Sequence, residues 1–573
     1  MLLDYVTGFF SLLFLGSLPR TSETRTCQLF TGNNHVQARQ RYAYGDECWP
    51  NANEWATFNS SISGRLARSF PSAAVCHTEE YDGELCDVAR TEWTNSFWRT
   101  NQTGAYSAIL WELGYSQCHI NSTKTAPCQP GLVPHYSVAA EAISDIQAAV
   151  RFAYEKDLYI VVKNTGHCFL GRSSGIGALS IWTHNLKGRE WHDSFVVDGA
   201  PSGTSGVPAV TLQAGEQWLD VYQDAAAHDV IVVGGAVRTV GAVGGYLTGG
   251  GHSPFASKYG LAVDNLLEVN LVTANGETLT LNEYSNPDYF WAIRGGGGSA
   301  WGVITSVTYK THPNPSNIQV VLVSINSTDE STVRTLIHGS LQGLVTVTSG
   351  GYIGYGQILN GFQGLFIQPN GTNETFASSF APFFTMGTLP GADLQIIPID
   401  LPSWLEYCNT FLTDINIAAN AISSSRLLSS SALMNNTKQV ADLIYNLRDH
   451  SPTFGFIGKV NADSSQRAKT AMHPAWEDGR ALLDLGVDWA DEAPTSEKKQ
   501  KKEKLIQFSN LMDGVLGDSS GTYTNEANPY EPDWQRVFWG PKYERLLKIK
   551  KKVDPTNLFV CNRCVGTDVF WEP

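Results

Sequence analysis

The chain has 573 residues, 42% of them hydrophobic, and a formal net charge of −15 at pH 7. That composition can bury a core of ordinary size, which excludes disorder as the main state. An acidic chain with only 17% charged residues is no phosphate-tracking nucleic-acid binder, and past the N-terminus no apolar run reaches membrane-spanning length.

Residues 1–19, MLLDYVTGFFSLLFLGSLP, read as a signal peptide with its apolar stretch from Val6 to Leu18, although Asp4 stands where a basic residue is usual. Two further features agree with the secretory route. Six of the ten cysteines fall between Cys27 and Cys128, and glycosylation sequons begin at Asn59, Asn101, Asn121, Asn326, Asn370, Asn373 and Asn435. A secreted protein with N-glycans is expected.

Residues 27–129 are irregular and read as a disulfide-tied N-terminal cap. From Ser137 the pattern becomes regular. Ile143, Ile146, Val150 and Ala153 share one helical face, LYIVVKN and ALSIW are strands, and 208–235 runs strand, helix, strand. The stretch Gly241–Gly251 is too rich in glycine for a helix or a plain strand. NLLEVNLVTANGETLTL is a hairpin turning at Asn275-Gly276, and WGVITSVTYKTHP is a strand ending near Pro313. Residues 130–313 thus form one α+β unit. Residues 314–515 mix β-rich runs with helices such as NNTKQVADLIYNLRD and read as a second α+β domain; the basic run 497–504 is a solvated helix face. Residues 516–573 are aromatic-rich and end in CNRCVGTDVFWEP.

Three loops carry the chemistry. Lys163-Asn164-Thr165-Gly166-His167-Cys168-Phe169-Leu170-Gly171 follows a strand and is bounded by glycines, so its amides can turn inward as an anion nest suited to a pyrophosphate. The loop Val240–His252 lets something large approach the backbone, as a flat cofactor with a diphosphate tail would. Gly295-x-Gly297-x-x-Ala300 formally matches a dinucleotide fingerprint, but a strand follows it and no acid stands about 20 residues on, so the Rossmann reading is rejected.

Gly166-His167-x-x-x-Gly171, Tyr259-Gly260-Leu261-Ala262-x-Asp264-Asn265, Asp288-x-Phe290-Trp291-Ala292-Ile293-Arg294 with Gly295–Gly298, and Gly302-x-x-Thr305 stand in the order seen in FAD-linked oxidases. The chain resembles the berberine-bridge-enzyme-like branch of the vanillyl-alcohol-oxidase superfamily, most of all its secreted fungal members. Tyr523-x-Asn525, Trp539-Gly540-x-x-Tyr543 and Asp554-Pro555-x-x-x-Phe559 resemble that family's closing segment. The resemblance implies an α+β fold. A two-subdomain, PCMH-type FAD-binding domain would cover 130–313, the segment 516–573 would return to it, and a substrate domain at 314–515 would lay an antiparallel sheet over the flavin. Loops and resemblance together nominate Lys163, Asn164, Thr165, Gly166, His167, Cys168, Gly171, Val240, Gly241, Gly244, Gly245, Thr248, Gly249, Gly250, His252, Asp264, Asn265, Gly302 and Val303 as cofactor-binding.

His167 stands where the family joins the 8α-methyl of FAD. Many relatives add a second link from a cysteine in Gly-x-Cys-x-x-Val-Gly; here Val237 holds that place, so a single link is expected. The resemblance also puts the Tyr-x-Asn element near the flavin, making Tyr523 the candidate base and Asn525 a positioning residue, with Glu526 and Tyr407 behind them. The implied reaction moves hydride from a substrate C–H to flavin N5 and then to dioxygen, giving hydrogen peroxide. The substrate would be an alcohol, a sugar or a secondary metabolite such as an alkaloid. An oxygen-insensitive dehydrogenase of the same fold, or a binding protein on a decayed scaffold, are the alternatives. No metal is expected: Cys561-x-x-Cys564 lacks the second pair of a closed zinc site and reads as a disulfide. Cys168 and Cys408 are the expected free thiols.

Overall fold

The computed structural model describes residues 41–111, 118–412, 417–462 and 464–567. The expected signal peptide and Cys27 lie outside them.

Three sheets organise the chain. The first runs, in spatial order, Leu66–Arg68, Tyr136–Ala139, Leu179–Trp182, Ile160–Lys163; its last three strands are parallel and the first is antiparallel. The helix Ile143–Glu155 crosses between the parallel strands. Ile146, Ala149, Val150 and Ala153 on its inner face are fully buried, each larger side chain contributing about 1.5–3 kcal/mol. Ile143, at the first helical position, is 39% exposed, so the expected apolar stripe begins one turn later. Asp145 accepts from the Glu141 and Ala142 amides, both at 3.0 Å, and closes the helix start.

The second sheet is antiparallel: Arg189–Phe195, Val207–Gln213, Val303–Pro313, Leu266–Val272, Thr278–Leu281, with Val230–Val232 pairing the far end of Val303–Pro313. Gly276 takes φ +77° at the Asn275-Gly276 turn, which makes the hairpin. No parallel doubly wound sheet spans these residues. The third sheet holds seven antiparallel strands between Ile318 and Asp488, in the order Asp393–Leu401, Ile318–Asn326, Gly361–Pro369, Ile353–Ile358, Thr453–Ile457, Gly479–Asp488, Ala421–Ser429. The helix Glu330–Ser349 packs on one face through Val333, Leu336, Ile337, Leu341, Leu344 and Val347, spaced for a single helical stripe. The helix Thr495–Leu516 packs there through Leu505, Phe508 and Met512; of its lysine run only Lys499 is exposed, Lys502 and Lys504 lying over the Tyr530 and Phe508 rings, so the run is less solvated than the sequence suggested.

Residues 41–111 are more regular than the sequence suggested. The helix Ala52–Ser61 places Trp55 and Phe58 in the same core as the first two sheets, and Leu66–Arg68 extends the first sheet. Disulfides join Cys76 to Cys86 and Cys118 to Cys128, and Cys48 is also disulfide-bonded. The C-terminal segment lies against 130–313: Trp539 Nε1 donates to the Gly295 carbonyl at 2.9 Å, and Lys550 Nζ to the Ala300 carbonyl at 2.7 Å. Among the described residues no helix is long and apolar enough to cross a membrane.

Candidate active site

The three glycine-rich loops meet at one junction. The first leaves the strand Ile160–Lys163 and turns at Gly166, which takes φ +82°. A Cβ at Gly166 would sit 3.1 Å from both the Ala105 carbonyl oxygen and Tyr106 Cα, so glycine lets the segment 102–107 press on this turn. That segment is pinned there: Lys163 Nζ donates to the Gln102 carbonyl at 2.6 Å, and the Ser107 amide to the Gly166 carbonyl at 3.1 Å. Among the described residues, the amides from Gly166 to Leu170 donate to no group. Consecutive unpaired amides of this kind form an anion-binding concavity.

The second loop touches the first where Asn164 crosses Gly241; a Cβ on Gly241 would collide with the Asn164 amide, itself donating to the Ala214 carbonyl at 2.7 Å. Within this loop Gly245–Thr248 forms a single helical turn, which the glycine content hid. A Cβ built on Gly244 or Gly245 would meet nothing within 4 Å, and the Val243, Gly244 and Gly245 amides have no acceptor among the described residues. The third loop completes the ring of contacts. A Cβ on Gly298 would lie 3.4 Å from Gly245 Cα, and one on Gly297 would lie 3.2 Å from Arg172 Nη1. Cys561 and Cys564 form a disulfide, as expected, with their sulfurs 3.5 and 3.4 Å from the Gly298 carbonyl oxygen. Unpaired backbone donors beside bare glycine backbone fit an extended dinucleotide with a flat ring.

His167 projects from the first loop with Nε2 2.9 Å from Thr239 Oγ1. Burial lowers its pKa to about 4, so the imidazole is neutral at working pH. Cys168 beside it is a free thiol, as is Cys408.

The C-terminal segment covers the second loop. Asn525 Nδ2 donates to Tyr523 Oη at 2.8 Å and to the Tyr246 carbonyl at 3.2 Å, and Gly249 leaves the Asn525 amide its room. Tyr523 is 2% exposed. Burial first, then the Glu526 charge, push its phenol well above its ordinary value. Its phenol is therefore neutral in this environment and accepts the Asn525 hydrogen bond. His252 Nε2 donates to Glu526 Oε1 at 3.0 Å. A Cβ on Gly455 would lie 2.7 Å from Asp484 Oδ2 and 2.8 Å from Glu526 Oε2, so the two carboxyl groups share one side of that strand. Burial, then the Glu526 charge, lift Asp484 well above the usual carboxylate range, which favours its protonated form. His252 Nδ1 and the Tyr355 hydroxyl are buried here without a hydrogen-bond partner among the described residues.

Asp264, Asn265, Thr248 and Gly302 make contacts within the frame around the loops. Asp264 accepts from the Leu261 amide at 2.8 Å and pairs with buried Arg467; Asn265 Nδ2 donates to the Tyr259 and Leu261 carbonyls, both at 2.9 Å. They fix the turn whose Ala262 amide reaches the Gly251 carbonyl at 2.8 Å. Thr248 Oγ1 donates to the Gly244 carbonyl at 2.9 Å, and Gly302, at φ +114°, opens the strand beginning at Val303. Tyr407 is a core aromatic stacked between Trp404 and Phe411. Asp484, Tyr355 and Thr239 were not foreseen. The signal for Asp484 was present: it is the one acid in the apolar run Ala481–Val487.

Residues 134–282 match the FAD binding domain family and 522–565 the berberine and berberine-like family. An FAD-linked oxidoreductase of Arthroderma benhamiae, itself uncharacterized, is 55% identical over 540 residues, 93% of this chain and 95% of its own. The chain belongs to the berberine-like FAD-linked oxidoreductases. A VAO-type flavoprotein oxidase of Thermothelomyces thermophilus is 30% identical to this FAD-linked oxidoreductase over 578 residues, 95% of each chain. The crystal structure of a VAO-type flavoprotein of Myceliophthora thermophila C1 superposes with a TM-score of 0.84 at 30% identity, covering 92% of this chain and 97% of the other. The enzyme therefore has the vanillyl-alcohol-oxidase-type flavoprotein fold.

Proposed function

We propose that this enzyme is a secreted, N-glycosylated oxidase that takes hydride from a C–H bond of a small alcohol, sugar or secondary metabolite and delivers the electrons to dioxygen. Bound FAD would supply the hydride acceptor and the oxygen chemistry. The amides of 166–170 and 243–245 would hold its diphosphate, and His167 would carry a single covalent link, Val237 offering no thiol for a second. Glu526, oriented by His252, would take the substrate proton. Asp484 would hold its own proton beside that carboxylate, and Tyr523, anchored by Asn525, would donate a hydrogen bond to the substrate. The observation that carries this reading is the His252–Glu526–Asp484 cluster standing where Tyr523 and Asn525 cover the glycine strip. The oxidase named among the relatives supports dioxygen as acceptor.

The test is turnover of alcohols, sugars and alkaloid-type compounds by the purified yellow protein under air. Hydrogen peroxide should appear in equal amount to oxidised product. Turnover only with an added artificial acceptor would move the assignment to the dehydrogenase reading, and protein without bound flavin would favour the binding-protein reading.

A further inference from the structure

His167 does not stand alone in its loop. Its Nε2 meets Thr239 Oγ1 at 2.9 Å, and Thr239 Oγ1 is hydrogen-bonded in turn to Ser96 Oγ. Thr239 is fully buried and its carbonyl accepts from Gln217 Nε2 at 2.9 Å. Ser96, also buried, opens the helix Ser96–Thr100, which Asn95 caps, just ahead of the segment that clasps the first loop. The ring is thereby fixed through one nitrogen by two elements remote in sequence, while Nδ1 has no hydrogen bond among the described residues.

We infer that Thr239, backed by Ser96, is the positioning residue for flavin attachment: it accepts the Nε2 proton's hydrogen bond and so leaves the lone pair of His167 on Nδ1. This rests on the proposed His167 linkage. A neutral imidazole carries one proton, and the hydrogen bond at one nitrogen decides which nitrogen is free. If Thr239 donated to Nε2 instead, the proton would sit on Nδ1 and neither nitrogen could form a bond. Burial, which keeps the ring neutral, ensures that one lone pair exists. In the linking step a C–N bond forms between Nδ1 and the 8α-methyl carbon, while one methyl C–H bond and the Nε2–H bond break. The two protons and two electrons released pass to dioxygen, which leaves as hydrogen peroxide. Thr239 also disperses the positive charge that bond formation places on the ring.

The test uses the full chain produced under flavin limitation and then supplied with FAD. It compares wild type, Thr239→Val, Thr239→Ser, Ser96→Ala and, as the unlinked control, His167→Ala. Total bound FAD is measured first, then the flavin remaining on acid-precipitated polypeptide over time. Thr239→Val should bind FAD at the wild-type ratio but gain acid-stable flavin more slowly by about tenfold, roughly the rate effect of one hydrogen bond. Thr239→Ser should restore the rate, a rescue that loss of packing would not produce, and Ser96→Ala should fall between. Attachment by Thr239→Val at the wild-type rate, or no rescue by serine, overturns the inference. Should Thr239→Val fail to fold, Ser96→Ala decides, and a wild-type rate there overturns it. Acid release of all FAD from the wild type defeats the His167 linkage itself, and the role of Thr239 with it.

Discussion

His252 Nε2 donates to Glu526 Oε1 at 3.0 Å across 274 residues of sequence, tying the second glycine loop to the C-terminal segment. The same carboxyl approaches Asp484 of the seven-stranded sheet, so three separate parts of the chain meet at one cluster of ionisable side chains.

Glu526→Gln keeps the size of the side chain and removes the proton acceptor. Substrate-dependent flavin reduction, followed anaerobically by stopped flow, should slow by about 10²–10⁴, the usual worth of a positioned base. Bound FAD should be unchanged. A wild-type rate would move the base to another residue.

Asp484 carries its proton in the fold because burial and the Glu526 charge oppose ionisation. The unfolded chain releases that proton above about pH 4, whereas the native state does not, so this group costs stability increasingly as pH rises through that point. Asp484→Asn removes the cost while still accepting from the Gly455 amide. Its melting temperature should exceed that of the wild type near neutral pH, with the difference closing toward pH 4. A difference that is constant or reversed with pH would show that Asp484 is ionised in the fold.

Lys550 and Asp554 form a buried pair at 2.7 Å, and Lys550 Nζ also donates to the Ala300 and Phe559 carbonyls at 2.7 and 2.8 Å. Lys550→Met leaves Asp554 buried without its counter-charge, a loss of about 3–5 kcal/mol. Thermal unfolding should fall by about 5 °C or more. An unchanged melting curve would mean that this pair does not anchor the C-terminal segment to the third glycine loop.

Much of this was legible where local chemistry and tertiary environment agree. The hairpin at Asn275-Gly276 needs a left-handed residue and has one, and the helix Ile143–Glu155 shows its buried stripe in its spacing. The glycine loops were visible because bare backbone has few other uses. What escaped depended on contacts between distant segments. Trp55 and Phe58 join the main core only once their helix docks beside the first sheet. The single turn Gly245–Thr248 runs against glycine's propensity. Tyr523 could be nominated as a base from its motif, but its neutrality comes from burial and from Glu526, neither of which a linear spacing reveals. Asp484 differs from its neighbours on an apolar strand, yet only the fold brings it to Glu526.

In the proposed function one flavin is held by the three-loop junction and linked through His167 alone. Peptide mass mapping of acid-precipitated, proteolysed protein tests it most directly. The precipitate should stay yellow, with a single FAD on the peptide that contains His167 and no thioether signature in the spectrum. Flavin found only in the acid supernatant, or attached at Cys168, would contradict the account and leave His167 a structural histidine.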